Sequence, residues 1–213
     1  LNGLPAQKDN LFGQAYSLRA LCYFHLIQFY QQTYIGHEQA PGVPLYITPT
    51  TSSTPGNPRG TVEEVYARIN KDIERGISLL KDAEEQGVTQ IHKSHIDYYV
   101  ANGIKSRIAL VQNRWKDALD AAQIALEKPD LKLAGTSDLT KGFNQLGMVS
   151  VLWGAEIQKS DQIGAYASFF GHMDATAGMH GSYDRKCISA WLYKQMGLQD
   201  IRRISWWKGE IAT

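Results

Sequence analysis

Cysteine is scarce in this chain: two in 213 residues, Cys22 and Cys187. Two cysteines build no disulfide framework and leave the redox compartment open. Cys22 sits within LRALCYFHL, where a free buried thiol is expected. Net charge is equally small, +1 from 22 Lys and Arg against 21 Asp and Glu. Nothing global therefore recruits nucleic acid or an anionic membrane surface. The locally basic segment Arg185–Lys208 reads as a solvated face. No apolar run reaches the roughly 18 residues that a bilayer-spanning helix needs, and no secretory signal is legible. The opening LNGLPAQKDNLF lacks an initiator Met, and with the closing WWKGEIAT it reads as a piece of a longer protein.

What is present is helical patterning, interrupted once. Residues 10–33 carry one charge, Arg19, and apolar groups recur at Leu11, Ala15, Leu18, Cys22, Leu26 and Phe29. The spacing is helical and the other faces are apolar too, so the helix is expected to lie buried among others, with Phe24 and Phe29 as core filler. A loop over 34–60 follows, holding five of the seven prolines and a possible short strand at Val43–Ile47. A loop of that length in a compact domain is often functional. Thr61-Val-Glu-Glu64 is a capping box. The helix it starts runs to about Lys81, with Val62, Val65, Ile69, Ile73, Ile77 and Leu80 in one stripe.

Ser94 followed by Asp97 signals a third helix, carrying Ile96, Val100, Ile104, Ile108 and Val111. Asn113 is placed to cap a fourth, RWKDALDAAQIALEKP, which Pro129 closes. Its aromatic, spaced alanines and closing proline resemble a tetratricopeptide hairpin. The first two helices read as a second, degenerate hairpin split by the long loop. Such hairpins cannot bury their faces alone and should stack. The expected fold is thus mostly α: tetratricopeptide-like hairpins with long irregular loops and a little β structure. Residues 1–130 form the helical part and 131–213 an irregular, loop-rich remainder of the same domain. Within the latter, Met148–Ile157 is the best strand candidate and Trp191–Met196 a short helix.

No catalytic constellation is legible. His92 and His95 are three apart, without the Glu and spacing of a zinc helix, and sit at a helix start. GIKS at 103–106 lies inside a helical pattern and lacks the first glycine of a phosphate loop. No serine stands in a nucleophile elbow. No metal or cofactor is expected. Loop aromatics are more telling. Tyr34, Tyr46, Tyr166, Phe169, Phe170 and Tyr183 offer ring faces near amides and hydroxyls, a combination that suits sugar rings. The alternative for each is that it fills the core beneath its loop.

Three stretches in order, YSLRALCYFHLIQFY, GVPLYIT and PRGTVEEVYARINKDIERGISLL, resemble the SusD/RagB family, nutrient-binding outer-membrane lipoproteins of Bacteroidetes. Arg19, Ala20, Tyr23, Phe24 and Leu26 match the family's first helix, Val43–Leu45 its VPL loop, and Arg59, Thr61–Tyr66, Ile69 and Asp72 the helix that follows. Trp115 and Ala118 match the hairpin, and Asp200 and Arg202 a later D-x-R element. The resemblance covers nearly all of the chain. It implies a non-catalytic, surface-exposed protein of the outer membrane that binds an oligosaccharide or polysaccharide and caps a TonB-dependent, SusC-like transporter. Its only membrane tether would be a lipid anchor absent from this chain. The helices would face the transporter and the loops the ligand. Family ligand contacts vary, so none carries over residue by residue.

The candidate ligand-binding residues are therefore Tyr34, His37, Tyr166, Phe169, Phe170, His172 and Tyr183. Arg19, the lone charge on an apolar helix, needs a partner if buried, and Asp72 is the candidate. Two other functions stay open: a tetratricopeptide-type adaptor for a protein partner, and a glycoside-active enzyme with an unrecognised carboxylate pair.

Overall fold

A computed structural model describes residues 3–139, 145–156 and 188–206. The chain divides into two units, Leu1–Lys132 with Val149–Gly154, and Leu133–Met148 with Ala155–Thr213. The first unit carries helices α1 (Pro5–Tyr30), α2 (Val62–Glu85), α3 (Tyr98–Val111) and α4 (Trp115–Leu126), and strands β1 (Pro41–Pro44) and β2 (Arg59–Thr61). In the second unit are the short helices α5 (Thr136–Leu139) and α6 (Ala190–Gln195) and a π-helical turn, Arg202–Trp206. The architecture is mostly helical with one two-stranded sheet, as the patterning predicts.

Helix α1 begins with proline in its first turn, where the missing N–H costs nothing. It buries Gly13, Ser17, Ala20, Phe24 and Ile27 against α2. The two helices run antiparallel: Gly13 meets Leu80, Arg19 meets Asp72, and the Phe24 ring meets Tyr66 edge-on at 6.4 Å. Their closest approach is built from small residues. A Cβ on Gly13 would lie 2.6 Å from Leu80 Cγ, and one on Gly76 would collide with the Ser17 hydroxyl. That hydroxyl donates to the Gly13 carbonyl at 2.8 Å, so it is satisfied where it is buried.

This packing corrects the expectation of an all-round buried helix. Leu11, Ala15, Leu18, Cys22, Leu26 and Phe29 are all exposed, Phe29 by 82%, and Cys22 is an exposed free thiol. Both faces have helical spacing, and the less hydrophobic one is buried because small residues let backbones close up. Period alone cannot choose between them.

Helix α2 starts on the expected capping box: Thr61 Oγ1 accepts from the Glu64 amide at 3.1 Å, and Glu64 accepts from the Thr61 amide at 2.8 Å. It continues one turn past Lys81 to Glu85. Val62, Val65, Tyr66, Ile69, Ile73 and Leu80 are all buried, each contributing about 1.5–3 kcal/mol from apolar area removed from water. Helix α3 crosses α2 antiparallel, with Lys105 on Glu74 at 2.8 Å and Asn70 on Gln112 at 3.0 Å. Its N-cap is Asp97, which accepts from the Val100 amide at 2.8 Å, not Ser94 three residues earlier.

Helix α4 closes the second hairpin, packing Ala118, Ala121 and Ala125 on α3 while Ser106 donates to the Ala118 carbonyl at 2.8 Å. Asn113 does not cap it. Asn113 occupies the left-handed turn between the helices at φ 55°, a conformation asparagine tolerates, and Arg114 precedes the helix without a side-chain cap. The expected strand at Met148–Ile157 does not form over its described part, residues 148–156, which run as turn and irregular backbone. Leu152 and Trp153 dock on the core, and Trp153 Nε1 donates to the Ser94 carbonyl at 3.0 Å.

Candidate functional site

The loop after α1 is ordered by its own backbone. The His37 amide donates to the Tyr34 carbonyl at 3.0 Å and the Ala40 amide to the His37 carbonyl at 2.9 Å, a pair of successive turns. Gly36 takes φ +82°, the left-handed conformation that glycine adopts without strain. Its amide donates to the Glu38 carboxylate at 3.1 Å; the backbone amide of Glu38 itself, and then that of Gly36, hold this carboxyl below its usual range. The loop is then fastened to the start of α2 by Val62 and Glu63 amides donating to Ala40 and Glu38 carbonyls, both at 2.9 Å.

Tyr34 and His37 stand on this frame. The Tyr34 ring packs edge-on against buried Tyr66, centroids 4.7 Å apart, and its hydroxyl donates to the Glu63 carboxylate in a short hydrogen bond. Burial, and then the Glu63 contact, push the Tyr34 phenol above its ordinary range. His37 is half-buried, with Nδ1 3.0 Å from the Thr33 carbonyl, so the ring is oriented by the backbone. Glu63 meets the Tyr34 hydroxyl, and Glu38 meets the Gly36 amide between the two residues. The surface so made offers fixed hydrogen-bond donors and acceptors beside an aromatic edge, a set that suits a polyhydroxylated ligand. Tyr166, Phe169, Phe170, His172 and Tyr183 lie outside the described residues.

A second concavity was not legible in the sequence. A groove of about 710 Å³ opens between α1 and β1, lined by Arg19, Cys22, Tyr23, Leu26, Tyr30, Val43, Pro44, Tyr46 and Arg59. Its floor is rigid. The Tyr23 hydroxyl accepts from the Tyr46 amide at 2.6 Å and donates to the Tyr46 carbonyl at 3.0 Å. Arg59 Nε and Nη2 donate to the Gly42 and Pro41 carbonyls at 2.5 and 3.0 Å, bracing β1. Tyr30 was missed as a lining residue because the helix carrying it reads as buried throughout, and Arg59 because it reaches the groove from a separate segment, β2.

Arg19 and Asp72 meet, with Nε and Nη2 each 2.7 Å from a carboxylate oxygen, and Arg68 reaches the same carboxylate at 2.7 Å. The hydrogen bond to Asp72 raises the Arg19 pKa above its ordinary value. This pair ties α1 to α2 near the middle of each helix, and Arg19 Nη1 also donates to the Ile47 carbonyl of the loop at 3.1 Å. His92 and His95 lie in the turn before α3, and His92 Nδ1 pairs with the Ser94 hydroxyl at 2.8 Å. Among the described residues no group of three or more His, Cys, Asp or Glu could hold a metal ion. No described helix is long and apolar enough to cross a membrane.

Residues 2–110 match the family model SusD-like, described as starch-binding and associating with the outer membrane. Among curated proteins none matches the chain. Solved structures do. A SusD-like carbohydrate-binding protein from Bacteroides vulgatus is 28% identical with a TM-score of 0.72, the match covering 83% of this chain and 36% of that one. A sugar-binding protein from the same species, 23% identical, superposes with a TM-score of 0.69 over 89% of this chain and 41% of that one. A SusD superfamily protein from Bacteroides thetaiotaomicron, 20% identical, gives 0.66 over 76% and 34%; the last two likenesses speak to the fold. The chain thus spans little more than a third of the length of these structures. By the match over its first half, carried on α1, the loop, the capping box and α3, the chain belongs to the SusD-like family.

Proposed function

We propose that this chain is the helical part of a non-catalytic, glycan-binding component of an outer-membrane uptake system. In this reading the protein is lipid-anchored and surface-exposed, and it delivers an oligosaccharide or polysaccharide to a TonB-dependent, SusC-like transporter. Residues 1–130 supply the helical platform, and 131–213 belong to the loop-rich remainder of the same domain. The supporting observation is the family match over 2–110, whose description joins starch binding to the outer membrane. The ordered Tyr34–His37 loop adds a rigid hydrogen-bonding surface of suitable chemistry.

Calorimetric titration of the complete protein against a panel of oligosaccharides tests the reading. Tyr34→Ala and His37→Ala should each weaken a bound glycan about tenfold, the equivalent of about 1.4 kcal/mol. Alanine variants of Tyr166, Phe169, Phe170, His172 and Tyr183 belong in the same series. No binding to any glycan, or affinity indifferent to all seven substitutions, would remove the proposal. A tetratricopeptide-type adaptor is the second reading, favoured by one observation: the apolar outer face of α1.

A further inference from the structure

The end of α1 remote from the Tyr34–His37 loop borders a second polar concavity. It forms because α2 stops sharply. Gly87 takes φ +83°, a left-handed conformation that glycine adopts without strain. Its amide donates to the Glu84 carbonyl at 2.8 Å, and the Val88 amide reaches back to the Ala83 carbonyl at 3.0 Å. The chain that follows returns across the first turns of α1, where the Ile96 amide donates to Gln14 Oε1 at 3.3 Å. A groove of about 590 Å³ is left between the two, with Gln7, Asn10 and Gln14 on one wall and Thr89 and Gln90 on the other.

Several of these amides are held in place. Gln14 Nε2 donates to Asn10 Oδ1 at 2.7 Å. Gln90 Nε2 donates to the His95 carbonyl, and its Oε1 accepts from Lys128 Nζ at 2.8 Å. What stays free among the described residues is Asn10 Nδ2, the Gln7 amide and the Thr89 hydroxyl. Because its oxygen is engaged, Asn10 presents its nitrogen as a donor in a set direction.

The lining selects the ligand. No Asp, Glu, Lys or Arg lines the groove among the described residues, and His95 is its one titratable side chain. A charged ligand would lose water there without gaining a counter-charge. Leu11 and Ile91, 52% and 90% exposed, flank the amides with aliphatic surface. Amides and a hydroxyl beside aliphatic surface match a sugar ring, with hydroxyls at its edge and C–H bonds on its faces.

We propose that this groove is a second glycan site, taking neutral sugar units independently of the Tyr34–His37 surface. The proposal rests on the reading that the protein binds glycans. Asn10 and Tyr30 are twenty residues apart on α1, about 30 Å at the usual rise. The two surfaces are therefore too far apart to share one sugar ring.

The loop reports its own occupancy. The Thr89, Gln90 and Ile91 amides donate no hydrogen bond among the described residues, so they exchange fast unless covered. Hydrogen–deuterium exchange of the complete protein is followed with maltoheptaose, cellohexaose and mannohexaose in turn, and with trigalacturonate as the acidic comparator. At least one neutral oligosaccharide should slow exchange at residues 88–92 several-fold, and trigalacturonate should not. Asn10→Asp keeps the oxygen that Gln14 needs and loses only the free donor. It should raise the half-protecting concentration at 88–92 about fivefold, with the half-point at residues 33–38 unmoved. Gln7→Ala, at an exposed position, should weaken protection at 88–92 in the same way. Protection confined to other segments overturns the second site and leaves the glycan reading standing; no protection anywhere removes both. Exchange at 88–92 that is already slow without sugar shows a groove filled by the protein itself and overturns the proposal. Equal protection by trigalacturonate, or a half-point indifferent to both substitutions, overturns it too.

Discussion

Arg19 and Asp72, 53 residues apart in sequence, are joined by two parallel hydrogen bonds of 2.7 Å, and the Asp72 side chain is 1% exposed. The carboxylate is buried and charged because two guanidinium groups, Arg19 and Arg68, hold it. The pair is asymmetric, since about a quarter of Arg19 remains in water.

That asymmetry predicts unequal costs. Asp72→Asn strands two cations around a neutral amide and should destabilise the fold by about 3 kcal/mol. Arg19→Met leaves Arg68 on the carboxylate and should cost about 1 kcal/mol. Denaturant midpoints at unchanged slope measure both. Equal losses would show that Arg68 does not share the charge.

Gly76→Ala should be worse than an ordinary helical glycine-to-alanine change, which normally stabilises. The new methyl meets the Ser17 hydroxyl and stands 2.9 Å from the Gly13 carbonyl. Overpacking of this kind costs about 1–3 kcal/mol. Ser17→Ala in the same background removes the nearest atom and should recover part of the loss. A Gly76→Ala protein with a raised melting temperature would contradict the packing described.

Thr61→Ala should cost about 1 kcal/mol, the usual worth of an N-cap. Glu64→Ala removes the reciprocal half of the box and should cost less. Thermal melts of the two variants and of the pair separate the contributions. A double variant equal to the sum of the singles would mean the box is not cooperative.

Burial pushes the Tyr66 phenol up from 10 to about 12. The fold therefore favours the neutral form. This contribution to stability is complete below pH 10 and is lost as the pH rises through about 12. Tyrosinate absorbance should show one phenol titrating last, together with alkaline unfolding. Tyr66→Phe should abolish that late step and flatten the alkaline stability profile. A late step that survives the substitution assigns it to another tyrosine.

Much of this fold was legible because its signals are local. The Thr61–Glu64 box, the α2 stripe and the alanine-rich α4 each reside within one or two helical turns. The Arg19–Asp72 pair was legible too, since an isolated charge on an apolar helix needs a partner. The buried face of α1 was not. Gly13, Ser17 and Ala20 carry little hydrophobicity, and their role comes from backbone closeness that appears only once α2 is in place. Asn113 misled because asparagine serves both N-caps and left-handed turns. Of the candidate site, Tyr34 and His37 could be named from the end of a helical period. The groove could not, because Tyr23, Tyr46 and Arg59 converge on it from three separate segments.

Interlocked at Gly13, Ser17 and Gly76, α1 and α2 form a strut. Neither helix can slide along the other without driving a side chain into backbone. Helix α1 has 26 residues and is about 39 Å long at the usual rise. A push on the Tyr34–His37 loop at one end cannot dissipate as slippage in the middle. The smallest residues of this helix pair thus set how closely its two backbones fit.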